Sequence, residues 1–253
     1  MTLALIIAGV VLAGTIISLE AGFRWGRREA AHNPKLQYEG ISAVEASAYA
    51  LLGLLLGFSF SGAMARMDSK RDLVVSEANA IGTAYLRVDL LPEETQPAIR
   101  EQYRRLIDAR INVYQHRGDA ERAGQELAVV LTTQQVIWTM SVAAAKSSPG
   151  SAVLVMPPIN DMIDLGTALR VSIQTHLPGL ILILLVGAAI LSGLLAGYSM
   201  AKRRQRSWFH VVAYASLLAI TVYTVLDLDH PRFGLINMDA AYAPLLELRD
   251  SIH

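Results

Sequence analysis

Four almost unbroken apolar runs punctuate the chain, from Leu3 to Leu19, Ala43 to Ala65, Leu177 to Ala201 and Trp208 to Leu226. Each approaches the ~20 residues a helix needs to cross a hydrocarbon core about 30 Å thick. A core helix of a water-soluble domain keeps a polar stripe along its length, and these runs show almost none. The pattern predicts four transmembrane helices. Between the second and third, the pattern changes to that of amphipathic helices. From Pro92 to Arg117, Ile99, Tyr103, Leu106, Ile107 and Tyr114 recur at helical spacing with Glu101, Arg104, Arg105 and Asp108 between them. Pro92 suits a first helical turn and Gly118 a stop. A second helix is expected from Ala120 to Lys146, carried by Leu127, Val130, Leu131, Ile137 and Trp138. A third is expected after the Ser148-Pro149-Gly150 break and the Pro157-Pro158 pair, with Ile159, Ile163 and Leu169 on one side. No breaker lies between Gly62 and Gly82, and a lone glycine costs a helix only about 1 kcal/mol, so the second span should run on as helix from Asp68 to Leu90.

No strand pattern competes with these helices. The predicted fold is an all-α integral membrane protein with four parts. Residues 1–65 hold the first two spans and their loop, 66–176 a helical extramembrane domain, 177–228 the third and fourth spans, and 229–253 a C-terminal tail.

Composition agrees: 53% of residues are hydrophobic and 17% charged, so the net charge of zero conceals charges sorted into the connecting segments. The absence of cysteine excludes disulfides and thiolate metal sites. The first run is read as a retained helix and not a signal peptide, because no basic residue precedes it and Arg24, Arg27 and Arg28 follow it. Those arginines with Lys35, and the Lys202-Arg203-Arg204-Gln205-Arg206 loop, mark the cytoplasmic side. Both termini and residues 66–176 are then extracytoplasmic in a multi-pass cell-membrane protein. Arg66, Lys70 and Arg71 crowd the exit of the second span against this assignment, but long domains translocate largely regardless of charge.

Catalysis finds no footing. The six histidines are scattered, and neither a His-Glu-x-x-His pair, a phosphate-binding glycine loop nor a nucleophile turn is present. No enzyme activity and no cofactor are expected. The arginine-rich stretches flank membrane spans, so anionic headgroups account for them better than nucleic acid does. Lipids are the expected partners, and self-association is expected from two small-xxx-small patterns, Gly53 to Gly57 and Gly193 to Gly197, which let helix backbones approach in lipid. Glu45, His210, Asp227 and Asp229 fall near the span ends, leaving no charged midplane site of the kind a transporter needs.

The run Glu77-Ala78-Asn79-Ala80-Ile81-Gly82-Thr83-Ala84-Tyr85-Leu86-Arg87, closing with Leu91-Pro92, combines an acidic-Ala pair, a Tyr-Arg type element and Leu-Pro. With Leu228-Asp229-His230-Pro231-Arg232-Phe233-Gly234 after the last span, it resembles the bacterial bestrophin-like membrane-protein family, although Arg232 interrupts that family's Asp-x-Pro-Phe-x-Gly order. Leu56-Gly57-Phe58 and Arg66 are more loosely similar to the pore helix of bestrophin anion channels. That similarity implies a second span lining a pore, a pentamer around it and a soluble domain on the cytoplasmic side, the reverse of the lysine and arginine count. At about 100° per residue, Ser47, Leu51, Leu54, Phe58, Ser61 and Ala65 share one face of that span. Leu54 and Phe58 would form a hydrophobic neck between wetter ends, although the same face also suits lipid or a neighbouring helix. Asp227, Asp229 and His230 form one candidate pore-mouth or structural cluster, and Glu77 and Arg87 with Asp89 another. The tail lacks the acidic run of the calcium-activated bestrophins, so calcium gating is not implied and no metal site is assigned.

Two functions follow from this reading: an oligomeric ion channel, anion-conducting by the resemblance, or a non-conducting scaffold whose extramembrane domain binds a partner. Orientation is testable in this cysteine-free chain with Gln37→Cys and Gln125→Cys. An impermeant thiol reagent added to intact cells should label the second and not the first; the reverse would invert the topology.

Overall fold

A computed structural model of the protein describes residues 2–32, 39–147, 149–202, 207–229 and 238–252, and every regular element among them is helical. The helices are α1 (Thr2–His32), α2 (Glu39–Leu86), α3 (Gln96–Gln115), α4 (Ala120–Ser147), α5 (Pro149–Gln174), α6 (Gly179–Lys202), α7 (Trp208–Asp229) and α8 (Asp239–Ile252), with a 3-10 turn at Arg87–Leu90 after α2. Among the described residues, five stretches are long and apolar enough to cross a membrane: Leu3–His32, Ala43–Leu90, Ala120–Ser147, Gly150–Ala201 and Trp208–Asp229. Length and hydropathy thus admit one more span, α4, than the four read from the sequence.

The chain divides into two compact units, one built from residues 1–65 and 176–230 and the other from 66–175 and 231–253. In the first, α1, the first half of α2, α6 and α7 surround a core of Val11, Leu52, Ala189, Leu218, Val222 and Leu226. Its tightest contact is between α1 and α6. A side chain at Gly22 would overlap the Leu194 carbonyl and come within 2.9 Å of the Tyr198 amide nitrogen; one at Gly26 would lie 2.9 Å from the Tyr198 carbonyl. From the other helix, Gly193 faces Ser18 and the Thr15 carbonyl, and Gly197 faces the Leu19 backbone. Four glycines therefore bring two backbones together where any Cβ would hold them apart.

Several side-chain hydrogen bonds link the helices of this unit. The Tyr214 hydroxyl donates to Ser192 Oγ at 2.8 Å, Ser199 donates to Glu45 at 2.5 Å, and Tyr198 donates to Glu29 at 2.8 Å. Asp229, fully buried at the end of α7, accepts the Leu177 N–H at 2.8 Å just before α6 begins.

In the second unit, α2 buries Met67, Lys70, Val74, Glu77, Ile81 and Ala84, alternating three and four residues apart. Ile99, Tyr103 and Ile107 of α3, Val130 and Ile137 of α4, and Val155, Ile159 and Met162 of α5 complete its core. α3 starts at Gln96 and not at Pro92, because Pro97 occupies the first helical positions and Pro92 instead receives the Thr95 N–H in the preceding turn. α5 does not wait for Pro157-Pro158 but runs through both. An interior proline costs about 3 kcal/mol, and the fully buried Val155, Ile159 and Met162 around the pair offset it. The tail contains an unforeseen helix. α8 stacks Tyr242 on Tyr114 of α3 with ring centroids 3.7 Å apart, and Arg104 Nε donates to the Ile252 carbonyl at 2.8 Å.

Gly197→Ala should destabilise the α1–α6 contact by about 1–3 kcal/mol through overpacking, read as a lower melting midpoint in detergent. Gly187→Ala, on the same helix with no atom within 4 Å of the added carbon, should leave the midpoint unchanged or slightly raised.

Candidate functional site

The first half of α2 packs into its own unit along a narrow stripe of Glu45, Leu52, Ser59 and Ala63, all buried. Successive residues of a helix point about 100° apart, so this stripe leaves the opposite face of the helix uncovered. Ser47, Leu51, Leu54, Phe58, Ser61 and Ala65 all lie on that uncovered part; Leu54 is 53% exposed and Phe58 68%. Gly53 and Gly57 also face open space, so of the two glycine patterns read from the sequence only the one on α6 is used within the described chain. Ser47 donates to the Ala43 carbonyl at 2.9 Å, which satisfies its hydroxyl without a second helix.

The proposed polar clusters are partitioned differently from the reading of the sequence. Glu77 is paired with Arg110 of α3, not with Arg87. Arg87 Nη1 donates to the Leu154 carbonyl, and Asp89 pairs with Arg100. Asp227 and Asp229 are both buried at the end of α7; Asp227 lies 3.5 Å from the Tyr223 hydroxyl, and Asp229 lies 3.7 Å from His176 Nδ1 as well as capping Leu177. His230 lies outside the described residues. These carboxylates serve helix ends and neighbouring side chains, and no group of three or more metal-ligating side chains forms among the described residues.

The Glu77–Arg110 pair has both side chains buried. A Cβ at Gly166 of α5 would fall 2.9 Å from Arg110 Nη2, 2.9 Å from Glu77 Oε1 and 3.0 Å from Gln134 Nε2 of α4. Glycine at that position is what lets four helices meet around the pair. Burial pushes the Glu77 carboxyl above its ordinary range, and the adjacent Arg110 only partly opposes this. Glu77 Oε2 and Arg110 Nε have no hydrogen-bond partner.

Two of these features had signals in the sequence. Arg110 lies three residues after Ile107 and four after Leu106, on the apolar stripe of α3, while Glu77 holds a core position of the three-four repeat in α2; opposite charges on two apolar stripes are candidates to pair. Gly22 and Gly26 also form a small-xxx-small pattern, but one that begins beyond Leu19, where the apolar run stops.

A family model for the bestrophin-like domain matches residues 14–237. The chain belongs to the bestrophin-like family. The match takes in both units and both sequence motifs that carried the resemblance. No curated protein matches the chain. Among solved structures, it is similar to a tryptophan-to-alanine variant of a bacterial bestrophin homologue from Klebsiella pneumoniae, with a TM-score of 0.68 at 11% identity over 97% of this chain and 95% of that one. An isoleucine-to-threonine variant of the Klebsiella pneumoniae homologue gives 0.64 at 13% identity over 97% and 98%. A structure described only as a membrane protein gives 0.64 at 14% over 95% and 97%. At these identities the likeness establishes the fold. This bestrophin-like chain is thus an all-helical membrane protein with the architecture of bacterial bestrophin homologues.

Glu77→Gln should destabilise the second unit by about 3–5 kcal/mol, because it strands the buried Arg110 charge. Glu77→Leu combined with Arg110→Met should recover most of that loss in a double-mutant cycle measured by denaturant unfolding; a loss in the double variant as large as in the single one would show that the pair itself is required.

Proposed function

We propose that the protein is the subunit of an oligomeric bestrophin-like ion channel that conducts anions, with Ser47, Leu51, Leu54, Phe58, Ser61 and Ala65 of α2 lining the pore. The observation that carries this reading is the exposure of all six side chains on the protomer, away from the stripe by which α2 joins its own unit. One helix cannot enclose a pore, so copies must surround an axis, and the family resemblance favours five. Leu54 and Phe58 form the neck. Uncharged and apolar, such a constriction gates by dewetting and favours ions that shed water readily. The bestrophin-like family and fold support a channel over an enzyme.

In this reading α1, residues 43–65 of α2, α6 and α7 span the bilayer, and 66–176 form the extramembrane domain. The burial of Thr133, Gln134 and Ser141 in α4 and its packing on the charged α3 support reading α4 as part of that domain and not as a span. The lysine and arginine count supports an orientation with the domain and both termini outside the cytoplasm. A second reading, a non-conducting scaffold, draws support from Leu86, Leu90, Val153 and Leu154, large apolar side chains exposed on the second unit.

Purified protein reconstituted in liposomes should pass chloride in preference to potassium. Leu54→Ala with Phe58→Ala should raise the flux severalfold by widening and wetting the neck. Absence of flux under varied pH, voltage and calcium would favour the scaffold, and flux indifferent to the double substitution would remove α2 from the pore.

A further inference from the structure

The first unit carries a groove of about 580 Å³ where the second half of α1 meets the start of α7. Its polarity is graded along α1. Ile17 and Ala21 supply an apolar floor, Glu20 and Arg24 form an ion pair at 2.7 Å one turn further on, and Arg28 lies one turn beyond that. Trp25 and Trp208, 61% and 55% exposed, also line it. The 31 residues of α1 extend about 46 Å, some 15 Å more than a hydrocarbon core of about 30 Å, so its arginine-bearing end emerges at the headgroup level. Exposed tryptophans at that level are the usual interfacial anchors of a membrane protein.

We infer that this groove is a binding site for an anionic phospholipid, with an acyl chain along Ile17 and Ala21, the indoles of Trp25 and Trp208 beside the glycerol region, and the phosphate at Arg28. Charge selects the class. Glu20 is already engaged by Arg24, whereas Arg28 has no ion-pair partner among the described residues. A phosphate without an attached amine supplies the missing counter-charge. A zwitterionic headgroup would bring its ammonium towards Arg28 with no free carboxylate in the groove to receive it. A purely apolar occupant, such as a lipid-facing helix of another copy, would cover Arg28 without neutralising it, which is costly at low dielectric. The site does not depend on conduction.

Trp25 and Trp208 are their own reporters once Trp138 is replaced by phenylalanine, since the chain has three tryptophans. In vesicles of matched composition, brominated phosphatidylglycerol should quench their fluorescence severalfold more than brominated phosphatidylcholine. Arg28→Gln should bring that ratio to unity, while Arg28→Lys should retain it. Arg27→Gln, exposed on α1 but not lining the groove, should also retain it, which separates a site from general attraction to an anionic surface. A ratio of one in the parent protein, or equal loss in the Arg27 and Arg28 variants, would overturn the proposal. So would loss of the preference on adding millimolar inorganic phosphate, which would make the site one for the free anion.

Discussion

The first unit depends on a contact between two backbones. In lipid, apolar side chains gain little by leaving one hydrocarbon for another, so helices associate through close packing and hydrogen bonds. Gly22 and Gly26 of α1 and Gly193 and Gly197 of α6 supply the packing, each seated against backbone or short side chains of the other helix. Around this contact the remaining helices pack on the shared apolar core and add polar links, Glu45 of α2 to Ser199 and Tyr214 of α7 to Ser192. Removing side chains at four positions thus gives α6 the fixed position from which those hydroxyls reach their partners.

α2 experiences two environments within one continuous helix of 48 residues. Its first half uses a narrow buried stripe, and its exposed face is uncharged, with Leu51, Leu54 and Phe58 between Ser47 and Ser61, as a helix facing lipid, a pore or another copy allows. Its second half carries a seven-residue repeat of buried positions and admits Lys70 and Glu77 among them. A buried carboxylate is tolerated there because Arg110 is within reach and Gly166 leaves room for both. Such a pair adds little net stability compared with apolar residues of the same size, and its value lies in penalising any packing that separates the charges.

The α1–α6 glycines and the lipid groove occupy different surfaces of the same helix. Tyr198 holds the C-terminal end of α1 by donating to Glu29, and Trp25 packs edge-on against the Tyr198 ring at 6.4 Å while still lining the groove. Helix packing and the interfacial surface are therefore coupled through one aromatic pair.

The sequence by itself determined the membrane class, the all-helical fold, the run of α2 beyond its span and the family, because hydrocarbon thickness and helical periodicity impose lengths and spacings visible in one dimension. It also grouped Ser47, Leu51, Leu54, Phe58, Ser61 and Ala65 on one side of α2, since a helix presents its sides at known angles. Only the tertiary structure decided which glycine pattern meets a partner, that Glu77 pairs with Arg110 across 33 residues and not with nearby Arg87, that α5 passes through two prolines, and that a short helix of the tail docks on α3. These outcomes turn on which surfaces meet. A glycine, a charge or a tyrosine reads the same whether it faces a neighbouring backbone or open space, and its partner is set by packing between segments far apart in the chain.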